Sequence, residues 1–362
     1  MKIAVLGGGN GSFAAAGDLA LAGHEVRMWR RDAAVVDAHR AHGGTISVKD
    51  FRGARDARLA LITTDVAKAV GGAELIMCPA PAFAQSDIAA VTAPHFEDGQ
   101  VVFLPPGTFG SVIFARAAQE IGNKARVSFA ETGTLPWLAR KHGPFQVQIS
   151  GRGKRLPTGV FPLRHADHAL GVIGNAFPGV IEPCGDALSG ALMNAGAIIH
   201  PPLITMNAGP IEHFERWDIH KEGTQAAIRR VTDALDAERI AIREALGYRA
   251  PHFPLADHYA KAGDEWMYGR GSHEKLTESG DWREALVLTE HRYMLEDTRM
   301  GLSFLASVGG LADVPTPLVL AFLAIGSAIC GEDFMRTGRT LETLGLGHLD
   351  RAGLKQFLLE GF

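Results

Sequence analysis

Residues 2–29, KIAVLGGGNGSFAAAGDLALAGHEVRMW, constrain the fold more than any other stretch of this chain. An apolar, β-rich run stops at glycines, an alanine-rich helical run follows at once, and a second β-rich run, EVRMW, comes next. Strand, tight turn, helix and strand in that order form one unit of a parallel α/β sheet. Glycine permits the sharp turn and lets backbone N–H groups at the helix start come close to a bound pyrophosphate. Gly7-x-Gly9-x-x-Ser12 therefore reads as a dinucleotide-binding turn, with Ser12 small enough to keep the helix close to the sheet. The expected cofactor contacts are Gly7, Gly9, Asn10, Gly11, Ser12 and Phe13, joined by Pro79 after the third strand. A glycine-rich turn with no ligand is the competing reading.

The end of the second strand bears on which dinucleotide is held. An NAD site would place Asp or Glu there to accept hydrogen bonds from the ribose 2′-hydroxyl. This chain has Arg30 and Arg31 instead. A guanidinium pairs with a 2′-phosphate that a carboxylate would repel, so NADP(H) is the preferred cofactor. NAD(H) stays possible if the arginines are solvated and Asp32 turns inward.

Further β-like runs at 74–78, 100–104 and 125–130 alternate with helical ones, and 145–150 and 179–184 extend or close the sheet. PAPAF (79–83) and LPPGTFG (104–110) follow strands, where ligands of open α/β sheets bind. They read equally well as simple turns. After about residue 185 helical patterns take over. In GTQAAIRRVTDALDAERIAIREALG the residues Ile228, Val231, Leu235, Ile242 and Leu246 recur at helical spacing, and Gly247 stands where a C-cap belongs. Residues 282–307 and 316–330 look similar. The expected architecture is a Rossmann-like α/β domain over 1–185 and an all-helical domain over 186–362. Ligands of such a pair are expected in the cleft between the domains.

A net charge of −4 argues against nucleic acid and anionic membrane surfaces as partners. The longest apolar run noted, Pro317–Cys330, has 14 residues, short of the roughly 20 that span a bilayer. No signal-peptide pattern opens the chain, and Cys78, Cys184 and Cys330 share no metal-ligand spacing. A cytoplasmic protein with reduced thiols and no metal is expected.

GGGNGSFAAAGDLALAGHEV, taken with NAGAIIHPP, TDALDAERIAIREALG, HRYMLEDTRMGL and VPTPL, resembles the opine dehydrogenase family from end to end. The resemblance implies a homodimer and a reductive condensation of an amino acid with a 2-oxo acid such as pyruvate. Reduced nicotinamide would deliver hydride to the imine carbon. It further implies that His200 is the catalytic acid/base, that Asp297 orients it, and that Arg292 holds a substrate carboxylate. Glu131 and Thr132, in ETGTLPWLAR, are implied to contact substrate. Gly196 departs from the family, which often has a second Asn there, so a polar contact is expected to be missing.

The chemistry is consistent with those roles. Carbonyl oxygen must be protonated to leave as water, and imidazole, which ordinarily titrates near pH 6.5, serves both directions. Proline at 201 disfavours the α conformation for the residue before it, so His200 is expected at a helix end or kink. Without the resemblance, a core histidine bonded to a backbone carbonyl is the simpler reading. Arg292 and Asp297 lie five residues apart and would splay by about 140° on a regular α-helix. A surface Arg292–Glu296 pair is the bland alternative. His291 is expected to be structural, and Phe214, Trp217, Trp266 and Tyr268 form either an amino-acid pocket or core. Two other functions remain open: a two-domain hydroxy-acid or sugar-acid dehydrogenase, and a non-enzymatic NADP(H) sensor.

Overall fold

The computed structural model describes every residue from Met1 to Phe362. The chain forms two compact units, Met1–Ala191 with Leu358–Phe362, and Leu192–Phe357. The division falls after residue 191 because the strand Ile181–Asp186 and the short helix Ala187–Ala191 belong with the sheet of the first unit.

Twelve strands build the first unit. They are β1 (Lys2–Leu6), β2 (Glu25–Trp29), β3 (Thr45–Asp50), β4 (Gly53–Arg58), β5 (Leu61–Thr63) and β6 (Leu75–Met77). β7 (Val101–Leu104), β8 (Ser128–Thr132), β9 (Trp137–Lys141), β10 (Gln146–Arg152), β11 (Leu156–Phe161) and β12 (Ile181–Asp186) complete the set. Eight of them form one sheet in the order β12-β11-β8-β7-β6-β1-β2-β5. Every pairing in it is parallel except β11 with β8. The order reverses at β1 and β6, and ligands of doubly wound sheets bind beside that switch point. β1, β6 and β7 are almost wholly buried, which suits central strands covered on both faces.

A second sheet, β4-β3-β10-β9, packs on the helix Asn10–Leu21. An added Cβ at Gly17 would come within 2.4 Å of Val48, so glycine is what allows this close approach. Arg152 ties the layers together, donating to Asp18 at 2.6 Å and to Asp50 at 2.7 Å.

In the second unit the helix Ala226–Ala245 buries Ile228, Leu235 and Ile242. Gly247 follows it with φ +83°, the left-handed conformation expected of a residue just past a helix end. The region expected to be helical over 282–307 is regular only from Tyr293. Residues Arg283–Glu284 instead form a two-residue pairing with Trp217–Asp218. The segment Tyr293–Leu302 is a π-helix, continued by an α-helix over Ser303–Leu311. Residues Ala187–Thr205, not Pro317–Cys330, form the stretch long and apolar enough to cross a bilayer, but 78% of it is buried within the protein.

His258 lies in this unit against Trp266 and His273, with ring centroids 4.7 and 5.4 Å away. Burial, reinforced by the charges of His273 and Arg229, pushes its pKa from 6.5 down to about 3. Below pH 6.5 the unfolded chain therefore takes up a proton that the folded chain refuses, and stability falls as pH drops towards 3. The loss between pH 6.5 and 5 is expected to be about 2 kcal/mol from this one group. Urea unfolding at the two pH values checks it: His258→Gln should reduce the acid-induced loss by that amount, and an unchanged loss would refute the assignment.

Candidate active site

β1 ends at Leu6, and Gly7 turns the chain with φ +100°, its N–H donating to Trp29 O at 3.1 Å. Gly9 then caps the helix Asn10–Leu21. An added Cβ at Gly9 would meet nothing within 4 Å, so the helix start is open to a ligand. At Gly11 a Cβ would strike Leu135 at 2.8 Å and Pro79 at 3.1 Å, so this glycine serves packing, and Pro79 stands at the rim of the turn. Ser12 is buried and donates to Leu6 O at 3.2 Å, holding helix to strand. Phe13 is wholly buried in the core, so its expected cofactor contact is corrected to a supporting role beneath the turn. Asn10 accepts from Lys141 N at 2.9 Å, which links the helix start to β9.

At the end of β2 the two arginines part company. Arg30 folds back over the turn, its Nη1 3.4 Å from Gly8 O and its guanidinium 5.8 Å from the Phe13 ring centre. Arg31 is exposed. Asp32 does not turn inward: it caps the helix Ala33–Ala41, accepting from Ala34 N and Val35 N at 2.9 and 3.3 Å. The carboxylate that would mark an NAD site is thus committed to a helix end. An open helix start, a glycine turn and an inward cation together fit a dinucleotide.

Glu131 and Thr132, expected to contact substrate, are corrected to a structural role. Glu131 is fully buried and accepts from Phe109 N at 2.6 Å and from both the N–H and the hydroxyl of Ser111. It thereby secures the loop after β7, in which Thr108 and Phe109 hold positive φ. Gln85 adds a bond to Gly107 O at 3.0 Å. Thr132, also fully buried, donates to Pro157 O at 2.7 Å. PAPAF and LPPGTFG do stand at strand ends, after β6 and β7.

The second unit carries the acid/base candidates. His200 sits inside the helix Gly196–Thr205, which runs on through Pro201 and Pro202, so the expected helix end is replaced by an internal position. Both prolines are buried, and their packing offsets the two lost backbone donors. His200 Nδ1 lies 2.7 Å from Asp297 Oδ2, with the imidazole 15% exposed and the carboxylate 3%. Tyr293 stacks on the imidazole at 3.9 Å between ring centres, a partner that sequence reasoning missed. His220 meets the same ring edge-on at 5.7 Å.

Gly196 explains how the carboxylate gets so close. An added Cβ there would lie 2.3 Å from Asp297 Oδ1. The family departure at Gly196 therefore leaves space that the Asp297 carboxylate fills. Gly301 likewise faces Ala197, where a Cβ would come within 2.7 Å, so the two segments pack backbone to backbone.

Burial pushes the Asp297 carboxyl up, to about 7, and Arg292 pulls the other way. A buried carboxyl hydrogen-bonded to an imidazole can share one proton with it, which gives the pair a proton to give or to take. The splay expected between Arg292 and Asp297 does not hold. Tyr293–Leu302 is a π-helix and closes its turns over five residues, and the Thr298 hydroxyl donates to Tyr293 O at 3.0 Å. Residues five apart then return towards the same side, and each of the two charges stabilises the other. Arg292 Nη2 also lies 3.1 Å from Glu296 Oε2. That pair is no surface pair, because Glu296 is buried. His291 accepts from Tyr293 N at 3.3 Å. The four aromatics fall into two pairs, Phe214 stacked on Trp217 at 5.5 Å and Trp266 against Tyr268 at 5.8 Å.

A family model described as NAD/NADP octopine/nopaline dehydrogenase, alpha-helical domain, matches residues 183–330. An opine dehydrogenase of Arthrobacter sp. (strain 1C) is 30% identical over 357 residues, covering 97% of each chain. The chain belongs to the opine dehydrogenase family. As an opine dehydrogenase it is an NAD(P)-dependent oxidoreductase. The fold agrees with octopine dehydrogenase in complex with NADH and agmatine, at a TM-score of 0.71 and 20% identity over 98% of this chain and 97% of that one. It also agrees with yersinopine dehydrogenase bound to NADP+, at 0.66 and 13% identity over 99% and 98%.

Proposed function

We propose that this opine dehydrogenase prefers NADP(H) and joins the α-amino group of an amino acid to the carbonyl of a 2-oxo acid, reducing the imine to a secondary amine. His200 and Asp297 form its proton couple, and Arg292 holds a substrate carboxylate. The observation that carries the reading is the 2.7 Å bond between His200 Nδ1 and a buried Asp297 from a different helix. Support for the cofactor preference comes from Arg30 over the turn and from Asp32 committed to a helix N-terminus. The solved relatives include one complex with NADH and one with NADP+, so the choice rests on this chain's own residues.

Asp297 holds Nδ1, so Nε2 is the nitrogen that serves the substrate oxygen, and the ring keeps one orientation. Amine attack on the 2-oxo acid gives a carbinolamine. The imidazolium gives its proton to the departing hydroxyl, water leaves, and the protonated imine forms. Bound reduced nicotinamide supplies the hydride that reduces the imine carbon. In reverse, neutral His200 takes a proton from water as it adds to the imine. Tyr293, stacked on the ring, restricts it to the plane in which the Asp297 bond is short. Arg292 offers a guanidinium to a carboxylate on the same side as the couple, where opposite charge orients the substrate.

A matrix of 2-oxo acids and amino acids, each tested with NADPH and with NADH, checks the proposal. NADPH oxidation is expected only when both substrates are present, and faster than NADH oxidation. Oxidation with a 2-oxo acid alone, giving a hydroxy acid, would sink the condensation reading.

A further inference from the structure

Lys141, the last residue of β9, reaches the glycine turn from the smaller sheet. Its Nζ lies 3.4 Å from Gly8 O, the same carbonyl oxygen that Arg30 Nη1 approaches at 3.4 Å. It also sits 3.8 Å from the centre of the Phe13 ring, above which Arg30 is held as well. Neither cation has a carboxylate within ion-pair distance. Asp32 is spent on the helix Ala33–Ala41, and the neighbouring histidines add no negative charge. His39 is kept neutral by burial and by Arg30 and Lys141, its pKa pushed down to about 4, while His42 stacks on Phe145. Two like charges converging on one oxygen repel each other, and partial burial raises the cost. Burial and Arg30 indeed lower the Lys141 pKa. A doubly charged anion placed between the two would reverse the sign of that repulsion. The position, beside the end of β2, is where the adenosine ribose of a bound dinucleotide lies.

We infer that Lys141 is the second cation of the 2′-phosphate subsite, sharing the phosphate of NADP(H) with Arg30 and setting cofactor choice with it. The inference rests on the NADP(H) reading above. The backbone N–H of Lys141 also fixes Asn10, so β9 positions the helix start and the ammonium together. A lysine on a second sheet is invisible to a motif read at the end of β2, which is why Arg30 and Arg31 alone stood out in the sequence.

The test uses the full chain and two ligands, adenosine 2′,5′-bisphosphate and 5′-AMP, titrated by calorimetry. Fluorescence titrations with NADPH and NADH run beside them. Lys141→Ala and Lys141→Gln are expected to weaken the bisphosphate and NADPH at least tenfold and to change 5′-AMP and NADH less than twofold. Arg30→Ala should behave alike, and the double variant should lose the preference altogether. Without ligand, Lys141→Ala is expected to melt no lower than the parent, since a repulsion has been removed. If the parent chain binds the bisphosphate no better than 5′-AMP, the NADP(H) reading fails and takes Lys141 with it. If the parent prefers the bisphosphate and both Lys141 variants keep that preference, the Lys141 assignment alone is overturned. Equal weakening of all four ligands, with a lowered melting temperature, overturns it too, because it marks a structural role.

Discussion

His200→Asn is expected to lower kcat by about three to four orders of magnitude while leaving NADPH affinity within twofold of the parent. Asparagine keeps a hydrogen bond to Asp297 but carries no proton to give a departing hydroxyl. The pH profile of the residual rate should differ from the parent's, because the imidazole is gone while the buried Asp297 carboxyl remains. Asp297→Asn should fall nearly as far for a different reason. The ring would remain, but its tautomer would no longer be set by a carboxylate, and the imidazolium would lose its counter-charge. Burial already lifts the Asp297 carboxyl to about 7, so its replacement should also change the pH profile near neutrality. Steady-state kinetics across pH, with NADPH binding measured separately, checks both variants. A His200→Asn enzyme retaining a tenth of parental kcat would rule out the proton couple.

Gly196→Ala is expected to cost 10- to 100-fold in kcat, although alanine is the better helix residue by up to about 1 kcal/mol. The new methyl group would lie 2.3 Å from Asp297 Oδ1 and 3.2 Å from Asn194 Oδ1. The atoms in its way are ends of short side chains, so the fold can yield. What must yield is the carboxylate that His200 holds at 2.7 Å, and a displacement of about 1 Å in such a site is costly to catalysis. The melting temperature should therefore hold or rise while activity falls. Unchanged kcat would mean that the carboxylate has room to move without losing its imidazole. Loss of both activity and thermal stability would point to a packing role for Gly196 instead.

The dinucleotide half was legible because its signal is local: strand, glycines, helix and second strand lie within 28 residues. Local signals also mislead there. The hairpin of β3 and β4 escaped notice because its tip is charged and its apolar residues are few. β11 escaped because Pro157 argues against an interior strand, yet it lies between β8 and β12. Lys141 and the role of Glu131 depend on which strands are neighbours, and that is decided by tertiary contacts. The acid/base couple spans 97 residues, and the family resemblance paired its members where spacing could not. The proline pair after His200 pointed to a helix end. A proline removes its own donor yet keeps helical φ, and a buried environment carried the helix through.

The π-helix at Tyr293–Leu302 has a consequence for relatives of this chain. Removing a single residue between Arg292 and Asp297 would let the segment relax to the tighter α register. The pair would then stand four apart on an α-helix, about 40° round the axis, and the two charges would stay together. Straightening the segment to an α-helix without losing a residue would instead leave them five apart and splayed by about 140°. In this short window the length of the chain and the kind of helix must change together for the site to keep its geometry.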